Sequence, residues 1–260
     1  VVFPGCVVSY RFPKQVIKLF QLLVYLGADP GRIMVDDELC CGSFLRQIDG
    51  EMLHDNGKFL FSKYLRQDGT TLVITACGSC TATLRESKEY LEANHQFQER
   101  HGDPSRLTIM HYLDFLSKPA ILKQLSGSLH EAANGKQVYL QFPCQAEGNL
   151  KERKIQQAGL EKLLAMLGYE PVKPKSDLTC CGSNLLDTHP DFAIEFGINR
   201  FKNITNIFKD GEGTIALGCG NCHRLLSDFK TSIEIEQDES DIQNLDTHFL
   251  LDLLVDTLGR

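Results

Sequence analysis

The chain of 260 residues has no long apolar run and no surplus of basic residues. Its longest apolar runs, such as Leu22–Leu26, are far shorter than the ~20 residues that a membrane span requires. Lys and Arg number 27 against 34 Asp and Glu, so the formal net charge is −7, which disfavours nucleic-acid phosphates as partners. An apolar fraction of 42% with 23% charged residues also excludes disordered and collagen-like classes.

Three short motifs are missing as well. The chain has no GxGxxG dinucleotide fingerprint, no C-x2-C-x2-C ferredoxin run and no basic-then-apolar secretory segment. The first two absences indicate that the chain does not collect electrons from NADH or flavin by itself and does not hold an ordinary ferredoxin cubane. The third predicts a cytoplasmic protein, in which thiols stay reduced.

What the sequence does contain is ten cysteines, too few for a secreted disulfide scaffold of more than ~8–10% cysteine. They form two copies of one pattern, C-x(n)-CC-x(m)-C-x2-C, in which n and m are 33 and 35, then 35 and 37. Matching cysteines are 138, 140 and 142 residues apart, which indicates a tandem duplication. The first copy is Cys6, Cys40, Cys41, Cys77 and Cys80, and the second is Cys144, Cys180, Cys181, Cys219 and Cys222.

Strand and helix patterns alternate within each copy. The apolar runs Leu72–Ala76 and Val138–Phe142 end just before cysteines and are typical of buried parallel strands. Apolar residues at three- and four-residue steps predict helices. The predicted helices are 16–26, 51–65, 159–167 and 193–208.

The chain is therefore predicted to be an α/β protein of two tandem pseudo-symmetric repeats. Each repeat is expected to be a small, mostly parallel sheet with flanking helices and with its cysteines at the carboxyl ends of the strands, where ligand sites collect in open α/β sheets. We expect the first repeat at 1–126, a linker at 127–135 that includes Gly127, Asn134 and Gly135, and the second repeat at 136–260.

Three interpretations of the cysteines compete. Disulfides are disfavoured because adjacent Cys40 and Cys41 would form a strained bridge with each other, and because no secretory segment is visible. Zinc uses four tetrahedral ligands, often with a CxxC knuckle, but each repeat offers five thiols. Iron–sulfur clusters also use sets of four cysteines, and a fifth thiol favours an atypical cluster.

The two copies of this pattern resemble the CCG domain pair found in the cysteine-rich catalytic subunit of the heterodisulfide reductase family, from Cys6 to Leu254. The resemblance implies that each five-cysteine motif holds a noncubane [4Fe-4S] cluster. All five cysteines of the first copy would then be ligands of one cluster, and all five of the second copy would be ligands of the other. It also implies that the clusters face a substrate cleft, which we expect between Cys6 and Cys80 on one side and Cys144 and Cys222 on the other.

The same resemblance implies a reaction and partners. The reaction would be two-electron reduction of a small-molecule disulfide, such as the mixed disulfide of coenzyme M and coenzyme B. The partners would be the ferredoxin-like subunit and the flavin-containing subunit of a heterodisulfide reductase-like complex. Some members have been assigned zinc in one repeat, so zinc in one half stays open. Two other interpretations also stay open, an electron-transfer subunit without a disulfide substrate and a zinc-stabilised interaction module.

Departures from the family pattern concern the substrate more than the clusters. Many relatives carry a His shortly after the first cysteine of the second motif, where this chain has Gln145–Glu147. His223 directly follows Cys222, whereas Thr81 stands at the matching position. Because product thiolates need protons and His titrates near neutral pH, His223 is the predicted catalytic proton donor.

Other residues recur beside the cysteines. Gly42 and Gly182 follow the cysteine pairs and are expected to let the backbone approach the sulfurs closely, with Ser43 and Ser183 as further donors. His111 and His248 are expected to occupy equivalent positions as helix caps or as partners of the ligands. The acidic stretch 234–241 is predicted to be a solvated loop or a partner-facing hairpin.

Overall fold

The chain folds into two compact units, Val1–Phe115 and Leu116–Arg260. The computed structural model describes residues 1–45, 48–65, 69–130, 133–144, 150–173, 180–209, 211–228, 230 and 245–258. The predicted acidic loop at 234–241 and the departure at 145–147 lie outside these residues. The division at Phe115 precedes the predicted linker because helix Pro119–Leu125 packs against helix Leu150–Met166 of the second unit. The repeat limits 1–126 and 136–260 stay a prediction of where the duplicated segments join.

The first unit is a parallel sheet with flanking helices. Its strands β1 Val2–Phe3, β2 Thr71–Thr75 and β3 Leu107–His111 lie in the order β1-β2-β3. Short 3-10 turns at Pro30–Arg32 and Pro104–Arg106 begin at Asp29 and Asp103, whose carboxylates accept a backbone N–H at each turn. The helices are α1 Cys6–Arg11, α2 Pro13–Tyr25, α3 Gly50–Tyr64, α4 Gly78–Glu92, α5 His95–His101 and α6 Tyr112–Leu116, which reaches the unit boundary.

The second unit repeats this plan with one more strand. Strands β4 Gln137–Gln141, β5 Glu170–Val172, β6 Gly213–Leu217 and β7 Leu245–Phe249 are parallel, in the order β5-β4-β6-β7. A 3-10 turn covers Ser183–Leu185, and a π-helical turn covers Arg224–Asp228. The helices are α7 Pro119–Leu125, α8 Leu150–Met166, α9 Pro190–Thr205, α10 Gly220–His223 and α11 Leu250–Val255.

The two sheets correspond strand by strand. Phe3 is paired with Thr75 at the end of β1, and Gln141 is paired with Leu217 at the end of β4. These pairs are related by the same offsets as the cysteines that follow them. An isolated parallel bridge from Val2 to Val35 occupies the place that β5 takes in the second unit. The predicted fold class, two tandem α/β repeats with parallel sheets, is confirmed.

The predicted helices and strands are present with small shifts at their ends. Pro13 starts α2 three residues before the predicted position because proline fits the first turn of a helix. The largest difference is α8, which begins at Leu150 instead of residue 159. Its first two turns carry Lys151, Glu152, Arg153 and Lys154, and such charged turns give no apolar period. No helix within the described residues is long and apolar enough to cross a membrane.

A buried acid links α3 to the chain that follows β1. Asp36 is 2% exposed and accepts a hydrogen bond of 2.7 Å from the Tyr64 hydroxyl, with Lys63 Nζ 3.1 Å from its other oxygen. Burial, and then the neighbouring Asp36 carboxylate, raise the pKa of Tyr64, so the phenol stays protonated and donates. A buried carboxylate is tolerated only when such partners satisfy it.

Replacing Tyr64 with Phe should lower the free energy of unfolding by about 1–3 kcal/mol, because it removes a hydrogen bond from a buried charged group. The measurement is urea unfolding followed by circular dichroism. Tyr25→Phe is the matched control, since Tyr25 lies 40% exposed on α2 and should change stability by less than about 0.5 kcal/mol. Equal effects of the two variants would contradict the role given to the Asp36 hydrogen bond.

Candidate iron–sulfur site

The cysteines of the first unit lie where its strands end. Cys6 begins α1 just after β1, and Cys77 caps the start of α4 just after β2. Cys80 lies one turn further along α4 and is buried. Because β1 and β2 are parallel neighbours, both strands deliver their cysteines to the same edge of the sheet.

The second unit has the same arrangement. Cys144 follows β4, Cys219 caps the start of α10 after β6, and Cys222 lies within α10. Strands β4 and β6 are parallel neighbours, so these cysteines also meet at the carboxyl edge of their sheet. The sequence-based prediction of cysteines at strand carboxyl ends is confirmed in both units.

The adjacent cysteine pairs reach these edges from loops that lead towards α3 and α9. Each pair is followed by a glycine with positive φ, +80° at Gly42 and +86° at Gly182. The Gly42 N–H donates to Cys40 Sγ at 3.4 Å, and the Gly182 N–H donates to Cys180 Sγ at 3.3 Å. The predicted role of these glycines, backbone close to sulfur in a left-handed conformation, is confirmed.

Helices α3 and α9 support these loops. A Cβ built on Gly42 would lie 2.9 Å from Asn56 Nδ2, and one built on Gly182 would lie 2.9 Å from Phe196 Cβ. Asn56 also donates from Nδ2 to the Cys40 carbonyl at 3.1 Å. These contacts hold the Cys-Cys-Gly segments against the helices and leave no space for a larger residue than glycine.

The five thiols of each unit are connected in series by hydrogen-bonding contacts. In the first unit the contacts run from Cys6 to Cys40, Cys41, Cys80 and Cys77 in that order. In the second unit they run from Cys144 to Cys180, Cys181, Cys222 and Cys219. All ten cysteines are free thiols, so the two units present matching sets of five sulfur donors.

These contacts divide the protons unequally. Hydrogen bonds from Cys41 and then Cys6 lower the pKa of Cys40 far below the ordinary thiol value, and Cys144 and then Cys181 do the same for Cys180. Each thiol that donates to them, such as Cys6, has a raised pKa. Because thiolates are the ligands of metals, one sulfur in each set is already favoured in its ligand form, and metal binding would release the remaining protons.

Several features of these sets fit a bound cluster. The backbone N–H groups of Ser43 and Ser183 donate to Cys41 and Cys181, so the sulfurs already receive hydrogen bonds of the kind that tune clusters. The Ser183 hydroxyl is buried and has no hydrogen-bond partner among the described residues. Within the same residues, no group of three or more His, Cys, Asp or Glu side chains is arranged around a point that would suit one metal ion. The donors therefore fit a larger sulfur-ligated group.

The histidines differ between the units. His111 ends β3 opposite Thr75, whereas His248 lies opposite Ala216, one residue earlier in the equivalent register, so the expectation of equivalent positions is wrong. His111 is buried, and its Nδ1 accepts the Leu113 N–H at 3.3 Å, which confirms the predicted capping role for this residue. His248 is exposed on the short strand β7.

His223 takes the place next to the second CxxC. Its ring stacks on Phe249, with centroids 4.1 Å apart and planes 10° apart. Phe249 is the register counterpart of His111, so each unit has one imidazole near the start of its CxxC helix, supplied by a different element. The stacking fixes the ring beside Cys222. The role of His223 as proton donor stays a prediction.

Two features of the site lie outside what the cysteine pattern indicates. Gly5 has φ +82°, and a Cβ built on it would lie 2.5 Å from Cys80 Sγ. Pro143 occupies the matching position, so a comparison of the repeats hides the requirement for glycine. The second feature is Arg200, a buried cation on α9, which gives no signal in the sequence because its partners are distant along the chain.

A model of the cysteine-rich CCG domain matches the chain twice, at residues 1–85 and 138–227. The matches cover more than half of the chain and include both complete cysteine sets, so the chain belongs to the CCG cysteine-rich domain family as a tandem protein. No curated protein matches it significantly. Membership in this family, together with ten free cysteines, indicates an iron–sulfur-binding component of an oxidoreductase.

Replacing Gly5 with Ala should remove the iron of the first unit, about half of the total, because the new methyl group meets Cys80 Sγ. Positive φ costs a non-glycine residue roughly 1–2 kcal/mol wherever it occurs. Gly27→Ala is therefore the matched control, since Gly27 has φ +91° but nothing within 4 Å of a new Cβ. Iron per chain is measured for both variants, and retention of full iron by Gly5→Ala would contradict the close approach.

Proposed function

We propose that the chain is the catalytic iron–sulfur component of a heterodisulfide reductase-like complex. In this proposal each unit holds a noncubane [4Fe-4S] cluster, and the two clusters together reduce a disulfide by two electrons. The observation that carries the proposal is that both units present a complete, matching set of five free thiols. A degraded second set would favour a single cluster and an electron-transfer role.

The donor count supports an atypical cluster over zinc. One zinc ion uses four ligands, and so does one cubane cluster. Here a fifth thiol, Cys6 or Cys144, is in contact with the first member of the cysteine pair in its unit. All five sulfurs of each unit are the proposed ligands of one cluster. Zinc in one unit is an outcome of the metal analysis.

The reaction needs two electrons and two acceptors for sulfur. When the S–S bond breaks, each sulfur takes one bonding electron and one added electron, and two thiolates result. Bound clusters would supply the electrons and thiophilic iron that stabilises thiolate products. A chain with two matching units offers one such position for each product sulfur, so neither half of the substrate is left as a radical.

The chain's own groups would order and polarise this site. The backbone N–H groups of Gly42 and Gly182 already donate to sulfur, and such donors stabilise the negative charge that reduction adds. Both glycines are held by contacts with α3 and α9, so the donors are fixed before substrate arrives. A fixed donor needs no reorganisation when the charge develops.

The electrons are proposed to come from partner proteins of the complex. The sequence has neither a dinucleotide fingerprint nor a ferredoxin cysteine run, so a separate carrier has to deliver them. The proposed partners are a ferredoxin-like subunit, which delivers the electrons, and a flavin-containing subunit, which supplies them to it. The proposed substrate is a small mixed disulfide, such as that of coenzyme M and coenzyme B.

The test is single-turnover cleavage by the chemically reduced protein under anaerobic conditions. The mixed disulfide of coenzyme M and coenzyme B is added, and released thiols are counted. We expect two thiols for each disulfide consumed. Full iron content without thiol release would contradict a catalytic role and favour an electron relay.

The ligand sets are tested by removing one cysteine from each unit. Cys41→Ala and Cys181→Ala should each lose about half of the wild-type iron, because each unit has its own ligands and scaffold. Both variants should lose disulfide cleavage, since the reaction uses both clusters. Ser62→Ala on α3 is the control and should keep iron and cleavage. Full iron in either cysteine variant would contradict the five-ligand assignment.

A further inference from the structure

Arg200 places a cation in the interior of the second unit. Its side chain on α9 is 5% exposed, and burial of a charge costs free energy unless hydrogen bonds compensate for it. The guanidinium donates from Nε to Gln141 Oε1 at 2.9 Å and from Nη2 to the Tyr139 hydroxyl at 3.2 Å. Nη2 also donates to Gln141 Oε1. These partners are neutral groups of β4, so the hydrogen bonds hold the positive charge in place without cancelling it.

The first unit has an apolar pair at the same place. The sheet register makes Phe3 the counterpart of Gln141, because Phe3 pairs with Thr75 and Gln141 with Leu217, and Thr75 and Leu217 each lie two residues before the first cysteine of a CxxC. Phe3 is fully buried.

Helix contacts identify the counterpart of Arg200. Gly42 meets Asn56 on α3 as Gly182 meets Phe196 on α9, so the two helices correspond at a constant offset of 140 residues. Four residues after Phe196 comes Arg200, and four residues after Asn56 comes Leu60, which is buried. A buried Arg–Gln pair in the second unit therefore replaces a buried Leu–Phe pair in the first.

Both members of this pair lie close to cysteines. Gln141 ends β4, and Cys144 follows three residues later. Arg200 is one helical turn beyond Phe196, whose side chain packs against Gly182 next to the Cys180–Cys181 pair. The charge of Arg200 is among the causes that lower the pKa of Cys180, which supports its proximity to this sulfur.

We propose that the buried Arg200–Gln141 pair gives the cluster of the second unit a higher reduction potential than the cluster of the first unit, so that electrons delivered to the protein collect in the second unit. This inference rests on the proposed function, since it requires a cluster in each unit. Reduction adds one negative charge to a cluster, and a nearby buried cation stabilises that charge with little screening. Leu60 and Phe3 offer no such stabilisation.

The decisive variant exchanges the pair for its counterpart from the first unit, as Arg200→Leu with Gln141→Phe. Reduction of both clusters is followed by electron paramagnetic resonance during a redox titration of the full chain. Signals are assigned with the Cys41→Ala and Cys181→Ala variants. At a fixed potential near the midpoint, we expect the ratio of reduced to oxidised second cluster to fall at least about tenfold, which is about 59 mV for one electron. The first cluster should not change.

Two controls separate charge from packing and from net charge. Arg200→Lys keeps the cation and should keep the wild-type potential of the second cluster. Lys209→Gln removes an exposed cation that pairs with Glu170 and should shift neither cluster, because water and salt screen it. Equal potentials in the wild type and the Leu–Phe variant would overturn the proposal, and so would a shift of both clusters by equal amounts.

The reverse exchange keeps the proposal testable if the Leu–Phe variant fails to load its second cluster. Leu60→Arg with Phe3→Gln places the charged pair in the first unit and should raise the potential of the first cluster alone. An unchanged first cluster in the loaded variant would overturn the proposal. Thiol release from the mixed disulfide is measured on the same samples. A potential shift without thiol release would reject the disulfide reaction while supporting the charge effect.

Discussion

Five sulfur atoms have to be held in contact with one another in a unit whose sheet has only a few short strands. Parallel pairing solves part of this problem, because β1 and β2, or β4 and β6, deliver the cysteines that follow them to one edge. The cysteine pair has to come from elsewhere, and its loop turns sharply at Gly42 or Gly182 to bring two further sulfurs to that edge. The rest of each unit serves to hold these three segments together.

The cost of this convergence is visible in the local structure. Left-handed backbone at the two loop glycines, and a gap beside Gly42 and Gly182 that is too small for a Cβ, leave little freedom at the site. Thiols in contact with one another also resist ionisation as a group, so only Cys40 and Cys180 have a pKa shifted downward among the thiols whose shift is resolved. A metal-sulfur group relieves this crowding by accepting every sulfur as a thiolate.

Duplication gives two units with one plan, and the differences between them indicate a division of labour. The first unit packs Phe3 and Leu60 where the second places Gln141 and Arg200. The imidazole near the CxxC helix comes from β3 in one unit and from His223 in the other. A duplicated chain can keep the ligand geometry while its surroundings diverge, and these surroundings set potentials and proton supply.

Much of this structure follows from the sequence because its signals are local or repeated. The cysteine offsets reveal the duplication, and the apolar runs before Cys77 and Cys144 predict β2 and β4 closely. The early start of α8 escapes prediction because its charged first turns lack an apolar period. The Arg200–Gln141 contact joins residues that are far apart in sequence, and only the register of the sheet shows that they replace Leu60 and Phe3.

The central claim is that each unit holds its own iron–sulfur cluster on five cysteines. The most direct measurement is elemental analysis of iron, acid-labile sulfide and zinc in anaerobically purified protein, combined with electron paramagnetic resonance. The account predicts about eight irons per chain and no zinc, since each of two clusters contains about four irons. About four irons or fewer per chain, or stoichiometric zinc in either unit, would contradict it.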